Sequence, residues 1–506
     1  MLTKALPHSF RGRLVVAAAA LLLTLPVAPS AALADGTLTI GRPADVSAMS
    51  VFSHSTIEDE IVHPMLFDTL VYGSKDDPGY VPGLAESWDF DSASNSYVFK
   101  LRANAAFSDG SPVTAADVVY SLSAAKEKSQ NYKGMLAGMT AAEAVDDHTV
   151  KVTLAGPDNI FMSGLIWVYV LPENMNGKDA DAFFAEPLAS GPFALDAWTP
   201  GSSMSLVRNP HYWNAAETGL DRVDMKIIQG DNERLAAFQS GDIDIYENVR
   251  FDFIDQIPEA QRHIVSPTAR TMFLFTNNYK PPFDSIEARK ALSYAVDRDA
   301  IGEALWPGLS VPVQGMLMPG TTGAVPADAG SWDFDLETAE AALAASPTPK
   351  PEITLSAAYI RGVDEVLVQA VQAQLQDAGF QVTLNVSDFN TILGQVLNGE
   401  FDVWLLGNTT FGTTVAEMFA FYGGAFGPLG GWDLDALGGA LEKYLVAPDA
   451  AGREAAVRDF ENMMRETFTA VPIGHPDTVF AIADGVEGFE TLPTTAYRLD
   501  RISVNR

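Results

Sequence analysis

Acidic side chains are the most abundant reactive groups of this 506-residue sequence, yet they form no recognisable catalytic motif. Asp and Glu number 65 against 32 Lys and Arg, with 7 His and no Cys. The six histidines that follow residue 34 include no pair at the three- or four-residue spacing of helical metal ligands. There is no Gly-x-Ser-x-Gly elbow, phosphate-binding loop or dinucleotide fingerprint. We therefore expect no enzyme, metal or cofactor; a hydrolase built on converging carboxylates is the remote alternative.

One short acidic stretch has a superficial likeness to a calcium-binding loop. Asp89, Asp91 and Asn95 have the spacing of oxygen ligands, but the mid-loop Gly and the terminal Glu of such loops are missing. The stretch is therefore predicted to be a solvated hairpin turn.

Aromatic and amide side chains gather in one Gly- and Thr-rich stretch of the C-terminal part. This composition is typical of a ligand cleft, which has apolar walls and a few polar anchors. Packing in a core or under a lid is the alternative for any single ring. The side chains are Trp404, Asn408, Phe411, Phe421, Tyr422, Phe426 and Trp432.

The elements that would position these side chains form a predicted βαβαβ unit. Its strands and helices are Ile353–Tyr359, Val363–Ala378, Gln381–Val386, Thr391–Leu397 and Phe401–Leu406. Open α/β sheets bind ligands beyond the carboxyl ends of their strands. The loops after Tyr359 and Leu406 are therefore expected to line a site.

Strands and helices also alternate through the rest of the chain, which predicts an α/β protein. Thr114 is expected to cap a helix from Ala115 to about Ala125. Further strands are predicted at Thr37–Gly41, Tyr97–Leu101, Thr149–Leu154, Met225–Ile228 and Met272–Thr276, and further helices at Asp231–Gln239, Ile286–Ala295 and Arg298–Leu305.

The first 34 residues have the pattern of a secretory signal peptide. Basic residues precede the apolar run Leu14–Val27, and Ala32-Leu33-Ala34 provides small residues for cleavage before Asp35. A membrane anchor is the alternative, but about 14 apolar residues are too few to span a bilayer. The formal net charge of −33 disfavours nucleic acid and anionic membranes as partners. Because the sequence has no Cys, no lipid-bearing N-terminal Cys is expected.

Several stretches together resemble the family-5 extracellular solute-binding proteins, the peptide- and nickel-binding components of bacterial ABC importers. The resemblance extends in order over nearly the whole chain after residue 34. It is carried by Pro82–Trp88, Tyr97–Arg102, Phe107–Thr114, Asp117–Tyr120, Ser190–Phe193, Arg208–Trp213, Ala237–Asp244, Phe275–Asn277, Pro282–Phe283 and Arg289–Arg298.

The resemblance implies an α/β, two-lobed periplasmic binding protein with a hinge, in which the large lobe carries an extra subdomain. The hinge strands are expected near Pro267–Thr276 and Ile473–Ala481. The implied division is residues 1–34 as signal peptide; 35–71, 188–268 and 478–506 as lobe I; 72–187 as its small subdomain; and 269–477 as lobe II.

The resemblance also implies which residues contact the ligand. The Asp that pairs with a peptide's N-terminal ammonium in this family aligns with Phe411, so ordinary recognition of the amine is not expected. Arg361 occupies a loop where some members hold a ligand carboxylate, although a helix cap is equally expected; His54 replaces a cleft aromatic or lies on the surface. The predicted ligand-binding residues are His54, Trp167, Tyr169, Arg361, Trp404, Asn408, Thr409, Thr410, Phe411 and Tyr422.

The implied function is that of a periplasmic substrate-binding protein of an ABC importer. The protein is expected to be a monomer that captures a peptide or peptide-like solute between its lobes and delivers it to an inner-membrane permease. A nickel chelate, an opine-like conjugate or an oligosaccharide is the alternative solute. A periplasmic chaperone or sensor input is a third class.

Overall fold

A computed structural model of the chain describes residues 36–53, 56–73, 79–130, 132–313, 315–317, 332–358, 363–409, 427–492 and 494–505. At positions 217, 390, 408 and 409 it describes the backbone alone. Among the described residues, no helix combines the length and apolar composition needed to cross a bilayer.

The strands are short and are distributed along the whole described chain. In chain order they are β1 (Thr37–Arg42), β2 (Val71–Gly73), β3 (Tyr80–Pro82), β4 (Ala85–Asp91), β5 (Ser96–Leu101), β6 (Met139–Asp146), β7 (Thr149–Leu154), β8 (Phe193–Thr199), β9 (Ser203–Arg208), β10 (Arg222–Ile227), β11 (Ile245–Tyr246), β12 (Arg262–Val265), β13 (Arg270–Thr276), β14 (Ser310–Val311), β15 (Glu352–Ala357), β16 (Gln381–Val386), β17 (Val403–Thr409), β18 (Ala470–Pro476), β19 (Thr478–Ile482), β20 (Val486–Glu487) and β21 (Ser503–Val504).

The α-helices alternate with these strands. They are α1 (Ile57–Leu66), α2 (Ala115–Lys128), α3 (Phe161–Leu165), α4 (Ala180–Ala185), α5 (Asp231–Ser240), α6 (Ile286–Tyr294), α7 (Arg298–Leu305), α8 (Leu336–Ala345), α9 (Glu365–Asp377), α10 (Phe389–Leu397), α11 (Gly427–Gly430), α12 (Leu434–Val446) and α13 (Ala450–Thr467).

Three larger sheets organise the fold. A seven-stranded sheet has the order β12-β19-β11-β1-β10-β9-β8, and a six-stranded sheet has the order β14-β18-β13-β17-β15-β16. A four-stranded antiparallel sheet has the order β4-β5-β7-β6. Each sheet packs against its own buried hydrophobic cluster.

The predicted βαβαβ unit is present in the six-stranded sheet. Strand β15 pairs in parallel with both β16 and β17, and α9 and α10 connect them. Helix α9 begins after Asp364, whose carboxylate accepts a hydrogen bond from Leu367 N at 2.9 Å. Its apolar side chains Leu367, Val371 and Leu375 are buried, as their spacing predicts.

Strand β17 is longer than the sequence predicts. It continues through Asn408 and Thr409, which were expected to lie in the following loop. The reason is tertiary: Asn408 and Thr409 pair in register with Thr271 and Arg270 of β13. A neighbouring strand supplies the ladder partners that the local polar sequence does not reveal.

The other predicted elements are present with ends shifted by a few residues. Thr114 precedes α2, and its backbone N donates to the Asp117 carboxylate at 2.7 Å, which fixes the start of that helix. The hairpin-turn interpretation of the Asp91–Asn95 stretch is confirmed. It joins β4 to β5, with the Asp91 carboxylate accepting from Ala93 N at 3.0 Å.

Candidate functional site

The chain passes twice between the seven-stranded and the six-stranded sheet. The first crossing segment is residues 266–269, which join β12 to β13, and the second is Asp477, which joins β18 to β19. An extended chain spans at most about 3.5 Å per residue, so these short segments hold one edge of each sheet close to the other. The crossing segments overlap the predicted hinge positions; that they act as hinges stays a prediction.

The edge of the seven-stranded sheet at the crossing segments is formed by the ends of several strands. Strand β1 ends at Arg42 opposite Ile227, and β12 ends at Val265 opposite Thr478. Strand β11 ends at Tyr246, and the chain continues through Glu247 and Asn248 at the same edge. The parallel strands β1, β10 and β11 thus all present their carboxyl ends here, where α/β sheets commonly bind ligands.

The matching edge of the six-stranded sheet is formed by Ala357, Thr409, Arg270 and Pro476. Arg270 begins β13 directly opposite Thr409, the last residue of β17, and β18 reaches this edge at Pro476. Strand β15 ends nearby at Ala357. The side chain of Arg270 is buried, with 6% of its surface exposed. The strands that precede the two predicted site loops, β15 and β17, thus end at this edge, and residues 359–362 and 410–426 lie outside the described residues.

A side-chain and a backbone hydrogen bond tie the crossing segments to their surroundings. Thr268 Oγ1 donates to Pro476 O at 2.8 Å, which links one crossing segment to the strand that enters the other. Asp477 N donates to Leu309 O at 2.9 Å. The main chain around the crossing segments is therefore well satisfied.

A buried ion pair lies at the end of β1. Arg42 Nε lies 3.1 and 3.2 Å from the two carboxylate oxygens of Glu247, and the Tyr497 hydroxyl also donates to that carboxylate. Burial lowers the pKa of Arg42, but the charges of Glu247, Tyr497 and Glu58 and the hydrogen bond to Glu247 together outweigh it and raise that pKa above its ordinary value. These groups fix the edge of the sheet rigidly beside the first crossing segment.

Several buried polar atoms at this edge have no hydrogen-bond partner within the described protein. They are Arg42 Nη2, Asn248 Oδ1, Asp477 Oδ1 and Thr478 Oγ1. Leaving such an atom unsatisfied costs about 1–3 kcal/mol, more for a charged group. The concentration of these atoms around the crossing segments indicates a place where an outside polar group binds.

Of the described aromatic residues that were predicted for the site, Trp167 and Trp404 belong to one hydrophobic cluster and Tyr169 to another. Trp167 stacks on Tyr132, with ring centroids 4.9 Å apart, in the cluster beneath the six-stranded sheet. Tyr169 belongs to the cluster of the seven-stranded sheet, and Trp404 lies inside the six-stranded sheet with 2% of its surface exposed. The structure therefore does not bring these three rings together.

The other predicted ligand-binding residues carry no side-chain description. Asn408 and Thr409 have a described backbone only. The remainder, His54, Arg361, Thr410, Phe411 and Tyr422, lie outside the described residues. Their roles stay predictions.

Sequence reasoning missed the polar residues at the crossing segments. Asn248 follows the Gly-Asp-Ile-Asp phrase by which the resemblance was found, and Asp477 lies inside the predicted hinge Ile473–Ala481. A search for polar residues within the hinges would have found Asp477 and Thr478. Across the described ranges, no group of three His, Asp or Glu side chains is placed to hold a metal ion.

Comparison with known proteins places this architecture in a family. The sequence model of the middle region of the bacterial extracellular solute-binding proteins, family 5, matches residues 79–427. The probable D,D-dipeptide-binding periplasmic protein DdpA of Escherichia coli K12 is 30% identical over 432 residues, which are 82% of each chain. The periplasmic oligopeptide-binding protein OppA of the same organism is 28% identical and covers 72% of this chain and 73% of its own.

Solved structures show the same fold. The binding protein AgaA of A. tumefaciens R10, in complex with agropinic acid, is 25% identical, with a TM-score of 0.82 over 93% of this chain and 99% of its own. DppA of Helicobacter pylori, in complex with the peptide STSA, is 22% identical, with a TM-score of 0.82 over 93% and 98%. The protein thus has the two-lobed α/β fold of periplasmic peptide-binding proteins. On these grounds the chain belongs to family 5 of the bacterial extracellular solute-binding proteins.

Proposed function

We propose that this protein is the periplasmic solute-binding component of an ABC importer and that it captures a peptide or peptide-like solute between the two sheet edges. The observation that carries the proposal is the set of buried, unpartnered polar atoms at the crossing segments. The polar groups of a peptide can supply the hydrogen-bond partners that these atoms lack. The names of the relatives, which bind dipeptides and oligopeptides, support the same class.

The partner in this proposal is an inner-membrane permease that receives the solute from a monomeric binding protein. Family membership supports binding without chemical turnover, because the relatives are binding proteins. We assign residues 1–34 to a signal peptide. The basic start, the apolar run Leu14–Val27 and the small residues Ala32-Leu33-Ala34 support this boundary.

The proposed division has two lobes and one subdomain. We assign residues 35–71, 188–268 and 478–506 to lobe I, 72–187 to its small subdomain and 269–477 to lobe II. The four-stranded sheet has its own core, drawn from residues between Leu70 and Val170, which supports a separate subdomain.

An opine-like conjugate is the second candidate solute. AgaA, which holds agropinic acid, is as similar in fold as the peptide binders are.

A thermal-shift panel tests the proposal on protein isolated from the periplasmic fraction and refolded to remove co-purified solute. The panel holds di- to pentapeptides, their N-acetylated forms, opine-like conjugates, nickel with histidine and neutral oligosaccharides. A solute at 100 times its Kd adds about 2.7 kcal/mol, which raises Tm by a few degrees. Stabilisation by peptides or conjugates is expected. Stabilisation by sugars or nickel chelates alone, or turnover of a bound compound, would contradict the proposal.

A further inference from the structure

A cavity of about 240 Å³ lies between α7, β14 and β18 in the described part of proposed lobe II. All of its lining comes from residues 298–313 and 473–474, so one lobe forms it, whereas the proposed solute site lies between two sheets. We propose that this cavity binds a small organic cation with an apolar body, of the alkylammonium class. The inference does not depend on the proposed function, because the site lies within one lobe.

One face of α7 forms part of the cavity wall. The residues that this face contributes are Asp299, Gly302, Glu303 and Trp306. Residues three, four and seven apart lie on the same side of an α-helix, so their common presence in the lining follows from their spacing. Asp299 and Glu303 are about one helical turn apart, which brings both carboxylates to the same cavity.

Much of the remaining lining is apolar. Trp306 is 3% exposed, Ile473 is fully buried and Val311 is half-buried. Gly474 lets the Trp306 ring pack directly on β18, because a Cβ at that position would clash with the ring. These side chains can accommodate an alkyl body, and an indole ring also attracts a cation over its face.

Gly302 leaves volume open beside the carboxylates. It lies inside α7, where glycine destabilises a helix relative to alanine. Among the described residues, a Cβ at this position would have one neighbour within 4 Å, Ser310 Oγ at 3.3 Å. A methyl group would need only a small shift of that hydroxyl, so close packing of the backbone does not require glycine here. Its effect is to keep the cavity open.

The carboxylates of the cavity are not held by cations of the protein. Arg298 is the basic residue of the lining, and its guanidinium donates to the carbonyl oxygens of Pro472 at 2.7 Å and Val296 at 2.9 Å. Across the described residues, neither Asp299 nor Glu303 takes part in an ion pair. Both carboxylates therefore remain available to a cation from outside.

Glu303 lies where the electrostatics of the helix disfavour an anion. It is in the last turn of α7, near the negative end of the helix dipole, whereas Asp299 is favourably placed in the first turn. Gly302 and Glu303 thus both depart from the local rules of helix stability, and such departures are expected at functional sites. A cation bound beside the last turn would interact favourably with Glu303 and with the helix dipole.

Isothermal titration calorimetry with cadaverine, the diol of equal chain length and glutarate tests the inference on the refolded protein of the thermal-shift panel. The three probes share a five-carbon chain and end in ammonium, hydroxyl or carboxylate groups, so they separate the effect of charge from that of shape. The wild type is expected to bind cadaverine at least about 10-fold more tightly than the diol. Glutarate should not bind, because the carboxylates of the cavity repel it.

Variants of the two carboxylates locate the bound cation. Glu303→Gln is expected to lower the affinity for cadaverine roughly threefold, and Asp299→Asn/Glu303→Gln roughly 10-fold. Glu340→Gln is the matched control, because it removes the same charge from an exposed position of α8 outside the cavity. It should leave the affinity unchanged to within about 1.5-fold.

Gly302→Leu tests the cavity without changing any charge. Its side chain would occupy the cavity, so the affinity for cadaverine should fall at least about 10-fold. Leucine is a stronger helix former than glycine, so this variant is expected to fold, and thermal unfolding without a probe checks this for every variant.

The outcomes decide the inference by itself. If cadaverine does not bind, or if the diol binds equally well, the inference is wrong. If Gly302→Leu or the double variant keeps the wild-type affinity, or if Glu340→Gln weakens binding as much as Glu303→Gln does, cadaverine binds elsewhere on this acidic protein and the inference is wrong. The proposed function stands in each of these cases, because the thermal-shift panel tests it separately.

Discussion

His475 is a buried titratable group two residues before the second crossing segment. Its ring Nδ1 lies 3.1 Å from Thr271 Oγ1 and 3.3 Å from Arg270 O, and 1% of the residue is exposed. Burial lowers the pKa of His475 from 6.5 to about 4, against hydrogen bonds to the backbone of Arg270 and Gly315. The imidazole is therefore neutral in the folded protein at neutral pH.

This group gives a pH dependence of stability with a definite sign. Between pH 6.5 and about 4 the unfolded chain binds a proton at His475 that the folded chain does not, so stability falls as the pH falls. Over that pH window the decrease in the free energy of unfolding approaches about 3 kcal/mol. Urea unfolding at pH 7, 5.5 and 4.5 measures the free energies of unfolding of the wild type and of His475→Gln. The difference between the two free energies should shrink by part of that amount as the pH falls.

Thr271→Val is the control for this pH experiment. It removes the hydroxyl next to the ring but keeps the titrating imidazole, so it should lower stability at each pH without flattening the pH dependence. If the wild type and His475→Gln differ by the same free energy of unfolding at all three pH values, His475 is not the source of the pH dependence.

At the scale of elements, Asn159 joins the region of the four-stranded sheet to α12. Its Nδ2 donates to Tyr444 O and Ala447 O at 3.0 Å each, and its backbone N donates to Leu445 O at 3.2 Å. These carbonyls lie at the C-terminal end of α12, where helical partners are lacking. Asn159 thus connects a segment of the proposed small subdomain to proposed lobe II across the cleft.

The substitution Asn159→Ala is expected to weaken solute binding, although Asn159 is not a proposed contact of the solute. Two hydrogen bonds worth about 1 kcal/mol each join the proposed small subdomain to proposed lobe II, so their loss should lower the affinity roughly 30-fold, mainly through faster dissociation. Stopped-flow displacement of the solute that gives the largest thermal shift measures this rate.

Asn104→Ala is the matched control for Asn159→Ala. Asn104 also donates an amide hydrogen bond to a backbone oxygen, that of Trp213 at 3.1 Å, but both residues lie on the same side of the proposed cleft. Its removal should leave the dissociation rate unchanged. An unchanged rate in Asn159→Ala as well would show that the contact with α12 does not hold the closed form.

At the scale of the whole molecule, we expect the proposed lobes to move as bodies about the two short crossing segments. Because the chain contains no Cys, a pair of engineered cysteines can be labelled cleanly. Val145 and Leu397 are 62% and 58% exposed, and they lie on the four-stranded and six-stranded sides. In Val145→Cys/Leu397→Cys, energy transfer between dyes should increase when solute saturates the protein.

A second dye pair tests whether this change reports closure. Val145→Cys/Phe90→Cys places both labels on the four-stranded sheet, so its transfer efficiency should not change with solute. If neither pair responds while binding is seen by calorimetry, the solute binds without closure of the lobes, and the crossing segments are not hinges.

The sequence predicted the elements well because their signals are local. The spacing of apolar residues along α9 and the Asp or Thr before α9 and α2 act within a few residues, and both helices form where these signals occur. The end of β17 was predicted wrongly because its ladder with Arg270 and Thr271 depends on a strand far away in the chain.

The sequence by itself determined the alternation of strands and helices, the acidic charge and the family. Only the tertiary structure decided which distant segments come together. Asn248 and Asp477 belong to segments far apart in the chain, and the backbone hydrogen bond from Val249 N to Val479 O joins these segments. Such contacts depend on sheet order and register, which are set by packing of the whole chain, so local patterns do not encode them.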